Sequence, residues 1–313
     1  MKNDNVNALI KNVSKVIAGK KETISNIIIC LLCEGHILIE DVPGVGKTTL
    51  VKALAKSLNT GFKRIQFTPD LLPSDIIGVS IYDKKLDNFR FVKGPIFGSV
   101  ILADEINRTS PKTQASLLEC MQERKITVEG KIYELPEPFM ILATQNPIEY
   151  EGTFPLPEAQ LDRFIMKISI GYPDKYSERT ILERFKYNDP LLELSSVIDK
   201  EDIKAMQEDV KKVHVNSELY DYIVDIVTKT RNDANIRLGV SPRGSLALLR
   251  AAQARAYINN RNYVLPDDVK QLANPIFNHR IILTHEAKIR GITKEACIKS
   301  IINTVKIPVV NQK

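Results

Sequence analysis

The sequence predicts an α/β protein: a three-layer α/β/α core built on a parallel sheet around a P-loop, followed by an all-helical region. Three observations predict it. An apolar stretch, His36-Ile37-Leu38-Ile39, runs through Glu40-Asp41 into the loop Val42-Pro43-Gly44-Val45-Gly46 and then into Lys47-Thr48-Thr49 at the start of a helical segment. Two further apolar runs, Val100–Ala103 and Phe139–Thr144, alternate with helical segments, the pattern of crossover-connected parallel strands. From Pro173 onward apolar residues fall only at helical spacing, and no strand run is evident. The chain therefore divides near Gly171-Tyr172-Pro173, into a core over 1–172 and a helical linker and lid over 173–313.

Each element has its own local reason. Leu9-Ile10, Val13 and Val16-Ile17 make Asn7–Ile17 an amphipathic helix, which Gly19 ends; Thr23–Cys33 is a second, more apolar one. The glycine-loop helix runs to about Leu58, and Phe62–Phe67 is a short strand. Pro73-Ser74-Asp75 signals a helix start. Ser80–Tyr82 and Phe89–Val92 flank a polar tip and predict a hairpin, as do Ile126–Val128 and Ile132–Leu135 around Glu129-Gly130. Pro111–Arg124 and Pro157–Arg163 read as helices, and Phe164–Ile168 as the last strand. The lid helices are Ser177–Phe185, Lys200–Val213, Ser217–Asn232, Pro242–Asn259, Pro266–Asn278 and Thr293–Thr304.

Bulk properties narrow the function classes. The 313 residues are 43% hydrophobic, an ordinary globular share. The longest wholly apolar run, Ile27–Cys33, is far short of a membrane span, and the polar Met1–Asn5 start does not read as a signal peptide, so a cytoplasmic protein is expected. The net charge of +6 is spread along the chain without a basic run; it permits nucleic-acid contact without arguing for it, and with no clustered basic patch a nucleic-acid partner is not expected. Cys30 and Cys33 form C-x-x-C inside an apolar helix with no second ligand pair; with Cys120 and Cys297 they read as buried free thiols. His36, His214, His279 and His285 have no metal-ligand spacing.

The chemistry lies in the glycine loop. Backbone N–H groups of such a loop and of a helix N-terminus converge on one point, where the helix dipole favours an anion. Gly44 and Gly46 allow close backbone approach to phosphates; Lys47 would reach the β/γ-phosphates and the Thr48 hydroxyl would bind Mg²⁺. Val42, Pro43, Val45 and Thr49 complete this candidate ATP cradle. Asp41 stands where the general signature has glycine, and its carboxylate is expected to face outward, away from the phosphates. After the strand at 100–103, Asp104 can hold Mg²⁺ and Glu105 can deprotonate the attacking water. Asn146 ends the next buried strand and can hold that water. Arg163 can stabilise charge on a γ-phosphate when supplied by a neighbouring subunit. Arg243 sits in the first turn of a helix capped by Ser241 and begun by Pro242, where it opposes the dipole; an anionic ligand is a reason for it.

Together these motifs resemble the MoxR family of AAA+ ATPases, from about Val6 to Leu283. The resemblance rests on Glu40–Thr48, on Ala103-Asp104-Glu105-Ile106-Asn107-Arg108, and on Ala143-Thr144-Gln145-Asn146-Pro147-Ile148-Glu149. It rests also on Leu156–Phe164 and on Ser241-Pro242-Arg243. It implies Walker A at Lys47 and Thr48, Walker B at Asp104 and Glu105, sensor 1 at Asn146, the arginine finger at Arg163 and sensor 2 on the lid at Arg243. Arg108 is a second arginine close enough to compete for the finger role. Gly19, with Val16–Ala18, falls where the family holds adenine, and the two hairpins match its helix-2 and pre-sensor insertions. The family further implies an ATP-hydrolysing chaperone working as a hexameric ring on client complexes, with a lid that rotates against its core. A partner bearing a von Willebrand factor A domain would be a separate chain. Two alternatives stay open: a nucleic-acid motor related to AAA+ helicases, and a scaffold gated by ATP without turnover.

Overall fold

The computed structural model describes residues 4–85, 87–147, 152–186 and 188–308. The core runs α1 (Asp4–Ser14), α2 (Lys21–Leu32), β1 (Ile37–Glu40), α3 (Lys47–Ser57), β2 (Phe62–Gln66) and α4 (Pro73–Ile77). The hairpin β3 (Gly78–Asp83) and β4 (Asn88–Lys93) comes next, then β5 (Val100–Asp104) and α5 (Pro111–Glu123). A second hairpin, β6 (Lys125–Val128) and β7 (Lys131–Glu134), precedes β8 (Met140–Gln145), α6 (Glu158–Leu161) and β9 (Met166–Ile168). The lid follows as α7 (Lys175–Phe185), α8 (Lys200–Lys211), α9 (Ser217–Asn232), β10 (Ile236–Leu238) and α10 (Pro242–Ile258). It ends with α11 (Pro266–Phe277), β11 (Ile282–Leu283), α12 (His285–Ile289) and α13 (Lys294–Thr304).

The central sheet has five parallel strands in the order β2-β5-β8-β1-β9. Its inner strands are apolar on both sides because both faces are covered. Ile37, Ile39, Val100, Leu102, Met140 and Leu142 feed a core shared with α1, α2, α3 and the lid. The alternate residues Leu38, Ile101, Ala103, Ile141 and Ala143 feed a second core under α4 and α5. Helix starts follow capping chemistry. Ser110 accepts from Thr113 N before α5, Asp174 from Ser177 N before α7, and Ser241 from Gly244 N before α10.

The lid departs from the all-helical expectation. β10 and β11 pair antiparallel, with a register shift between Ile236 and Leu238, and α12 adds a short helix capped by Thr284. Strands of three and two residues are too short to leave a periodic signal.

The lid is fastened to the core. Arg280, almost wholly buried, sends Nε to Asp162 Oδ1 at 2.6 Å, Nη1 to the Ile165 carbonyl at 2.9 Å and Nη2 to the Phe164 carbonyl at 2.6 Å. Gln207 of α8 donates to the Leu31 carbonyl at 2.8 Å, and Lys211 pairs with Glu34 at 2.9 Å. Desolvation raises the Glu34 carboxyl pKa, but hydrogen bonds from Lys211 and Arg124 outweigh it and hold the net value below its ordinary range.

Candidate active site

Gly44 and Gly46 have φ of +86° and +88°, a left-handed conformation that side chains rarely adopt, while the space where a Cβ would stand is open at both. The backbone turn, rather than crowding, requires glycine there. Gly46 is the N-cap of α3, no side chain caps this helix, and its first turn carries no acid. The first N–H donors of α3 therefore face the loop, the arrangement that suits an anion. Lys47 reaches back across the loop, its ammonium 3.0 Å from the Asp41 carbonyl. Val45 tucks partly against the core, whereas Pro43 and Gly44 are exposed and Thr48 and Thr49 are half-buried behind them.

The Asp41 carboxylate points away from the loop mouth, as expected, but into the protein rather than outward. It is 6% exposed. It accepts from Ser169 Oγ at 2.8 Å, from Gly171 N at 3.1 Å and from Ile170 N. Three donors on the segment leaving β9 outcompete solvent, so this acid braces the root of the loop.

Asp104 and Glu105 stand at the carboxyl end of β5, and β8, which ends before Asn146, lies between β5 and β1. The register pairs Glu40 with Gln145 and Ala103 with Ala143, so Lys47, Asp104, Glu105 and Asn146 gather at one edge of the sheet. Asn146 is buried there. Thr144 ties two of these residues together: its hydroxyl donates to Asp104 Oδ1 at 2.7 Å and accepts from Glu105 N at 2.8 Å. Glu105 is held with φ of +58°, uncommon for a residue with a side chain. One of its carboxylate oxygens accepts from Gln66 at 2.8 Å and from Arg108 at 3.0 Å. Arg108 is thus engaged by an acid of its own chain. Arg64 forks onto the other oxygen of Asp104. Arg64, Gln66 and Thr144 escaped the sequence reading; the available signal was two polar residues at i and i+2 near the end of an apolar-flanked strand.

Gly19, with φ of +72°, packs against the first turn of α7, where a Cβ would collide with Ser177 Oγ. Arg163 and Arg243 lie elsewhere. Arg163 follows α6, and two residues later Ile165 N donates to the carbonyl of His36, which precedes β1. β1 climbs about 3.3 Å per residue, so His36 and Asp41 stand roughly 16 Å apart along the strand. Arg163 is therefore at the opposite edge of the sheet from the glycine loop. Arg243 joins it there: Ser241 donates to Asp162 Oδ2 at 2.8 Å, and Arg280 binds the other oxygen of Asp162. The lid thus carries Arg243 to the same end of the sheet as Arg163 rather than over its own loop, because Arg280 and Ser241 dock it at Asp162. Neither guanidinium makes a hydrogen bond or ion pair among the described residues. Ile148 and Glu149 of the third motif lie outside the described residues.

Thr48 and Asp104 offer hard oxygen donors of the kind that suits a small divalent cation. Among the described residues no cluster of three or more His, Cys, Asp or Glu forms a metal site, and all four cysteines are buried free thiols. Burial pushes the Cys33 and Cys120 thiols up to about 12. No described helix is long and apolar enough to cross a membrane.

Fold and site define a P-loop ATPase core with a helical lid. Residues 36–166 match the ATPase family associated with various cellular activities (AAA), and residues 228–301 match the AAA lid domain. The chain is 51% identical to the YeaC protein of Bacillus subtilis, across 96% of its own length and 94% of that protein. It is 40% identical to chaperone MoxR1 of Mycobacterium tuberculosis (96% and 82%) and 32% identical to protein MoxR of Paracoccus denitrificans (94% and 93%). A solved structure from Cytophaga hutchinsonii superposes with a TM-score of 0.92 at 44% identity, covering 98% of this chain and 96% of that one. The chain belongs to the MoxR family of AAA ATPases.

Proposed function

We propose that this protein hydrolyses ATP at sites shared between adjacent copies of itself in a ring, a hexamer, and uses the cycle to remodel client protein complexes. One observation carries the shared site. Lys47, Asp104, Glu105 and Asn146 crowd one edge of the sheet, whereas Arg163 and Arg243 stand at the other edge, their guanidinium groups unpaired among the described residues. A second copy is needed to bring the two sets together.

In this reading the loop 42–49 binds the phosphates and Gly19 lies on the adenine side. Thr48 and Asp104 would hold Mg²⁺, which neutralises charge on the β- and γ-phosphates when bound. Asn146 orients the attacking water and Glu105 takes its proton. The water oxygen bonds to the γ-phosphorus as the bond to the β-bridging oxygen breaks, and ADP leaves. Gln66 and Arg108 occupy one Glu105 oxygen and leave the other to accept that proton. Arg163 and Arg243 of the neighbouring copy stabilise the charge that develops on the γ-phosphate. Binding of Arg108 by Glu105 within one chain favours Arg163 as the finger. The name of chaperone MoxR1 supports the remodelling role. The family resemblance suggests a separate von Willebrand factor A domain protein as partner.

The test is subunit mixing. Lys47→Ala and Arg163→Ala proteins, each inactive alone in a phosphate-release assay, should regain turnover when combined, because some interfaces then pair an intact loop with an intact finger. No recovery in rings verified to be mixed would sink the shared site.

A further inference from the structure

Arg64 lies on β2, at the edge of the sheet beside β5. Its guanidinium meets Asp104 Oδ2 with Nη2 at 2.7 Å and Nε at 3.2 Å. Nη2 also donates to Gln66 Oε1, and the Gln66 amide nitrogen donates to Glu105 at 2.8 Å. The remaining oxygen of Asp104 accepts from the Thr144 hydroxyl. The carboxylate that the proposed site offers to a divalent cation thus already faces a positive charge on one side and an O–H donor on the other. The Arg64 side chain is 47% exposed and the Asp104 side chain 11%. Arg64 reaches in from the surface, and little of the surrounding packing depends on it. The strand register explains the reach: Gln66 pairs with Asp104 and Arg64 with Leu102, so residues 64 and 66 share one side at the carboxyl end of the sheet. A planar, permanently charged fork engages Oδ2 twice and Gln66 at the same time, which a lysine ammonium does less well.

We propose that Arg64 is a positioning residue that competes with the divalent cation for Asp104. It holds the carboxylate in place and yields Oδ2 when a cation is bound there, because two positive charges cannot share one carboxylate oxygen without strong repulsion. The consequence is a raised Mg²⁺ requirement, set by a side chain that reaches the cation's proposed ligand from the surface. This rests on the ATP–Mg²⁺ reading above.

The test is equilibrium binding of a fluorescent ADP analogue to the full chain, titrated with Mg²⁺ and repeated in EDTA, for wild type, Arg64→Met and Arg64→Lys. Affinity in EDTA should agree within about twofold among the three, since the loop is intact. The half-saturating Mg²⁺ concentration should fall roughly twofold to fivefold in Arg64→Met, the span of a partly exposed ion pair, with Arg64→Lys between. An unchanged or higher Mg²⁺ requirement in Arg64→Met overturns the proposal. Should that variant fail to fold, Arg64→Gln is read the same way. A wild type that binds no nucleotide would instead refute the ATP reading, so the two failures are distinguishable.

Discussion

Replacing Asp41 with glycine restores the general P-loop signature, yet the structure predicts a loss of stability. The carboxylate accepts from Ser169 Oγ, Ile170 N and Gly171 N, and it is the joint between the loop root and the segment that leaves β9. Hydrogen bonds to a charged acceptor contribute about 1.5–3 kcal/mol each. They do not count equally here. Ser169 is exposed and Gly171 half-buried, so water can serve those two donors, whereas Ile170 is buried and its N–H is left without a partner. One full bond and two weakened ones, with the added backbone freedom of glycine, come to about 3–4 kcal/mol. Asp41→Asn keeps an acceptor oxygen and should lose about 1–2 kcal/mol. Denaturant unfolding, with the midpoint compared at constant slope, measures both. An Asp41→Gly protein within about 0.5 kcal/mol of wild type would refute the bracing role.

Glu105→Gln should keep nucleotide affinity within about threefold while turnover falls at least about 100-fold, the lower end of general-base effects; single-turnover phosphate release would detect a base elsewhere. His36 gives a pH dependence. It is fully buried and its Nε2 lies 3.1 Å from the Met121 carbonyl while Nδ1 accepts from Ile141 N at 3.0 Å, which requires the neutral ring. Burial lowers its pKa from 6.5 to about 4. The unfolded chain therefore binds a proton near pH 6.5 that the folded chain refuses until about pH 4. Stability is fully present above pH 6.5 and is lost as pH falls to about 4, by about 3 kcal/mol in all. His36→Asn, which cannot titrate, should flatten that part of an unfolding series between pH 7.5 and 4.5. His279, also lowered, leaves a residual slope. An unchanged profile in the variant would assign the dependence elsewhere.

What could be read from sequence was local. Gly44, Gly46 and Lys47 declare themselves within one strand–loop–helix, and Ser241 announces its helix through a cap within three residues. The doubly apolar strands 100–104 and 140–145 signalled a covered parallel sheet. What could not be read was set by register and docking. Arg64, Gln66 and Thr144 matter because β2, β5 and β8 lie side by side, a fact of strand order that no single segment carries. The partners of Asp41 lie 128 to 130 residues further along the chain, so its direction away from the phosphates was legible and its burial was not. The location of Arg243 depended on where the lid docks, which Arg280 and Asp162 decide between them.

That docking bears on how the proposed cycle moves. A lid rotating over its own P-loop must first release Arg280 from Asp162 and from the Phe164 and Ile165 carbonyls. Those contacts are charged and mostly buried, so that rotation has to give them up together. The lid also shares one continuous apolar core with α1, α2 and α3, and opening it would expose residues such as Leu248, Leu272 and Phe277. On one side of the proposed joint between copies would stand exposed Arg243 and half-buried Arg163, on the other the exposed Pro43 and Gly44 of the loop. In the proposed ring each lid would therefore travel as part of its own core, and motion would fall between subunits. In this proposal the nucleotide would act as the contact that closes the joint; Arg163 and Arg243 would meet its γ-phosphate, and hydrolysis would loosen the joint and pass motion around the ring. The hairpins β3–β4 and β6–β7, on the opposite face of the sheet from the lid and sharing a Phe91–Tyr133 ring contact, would move with the core they rise from.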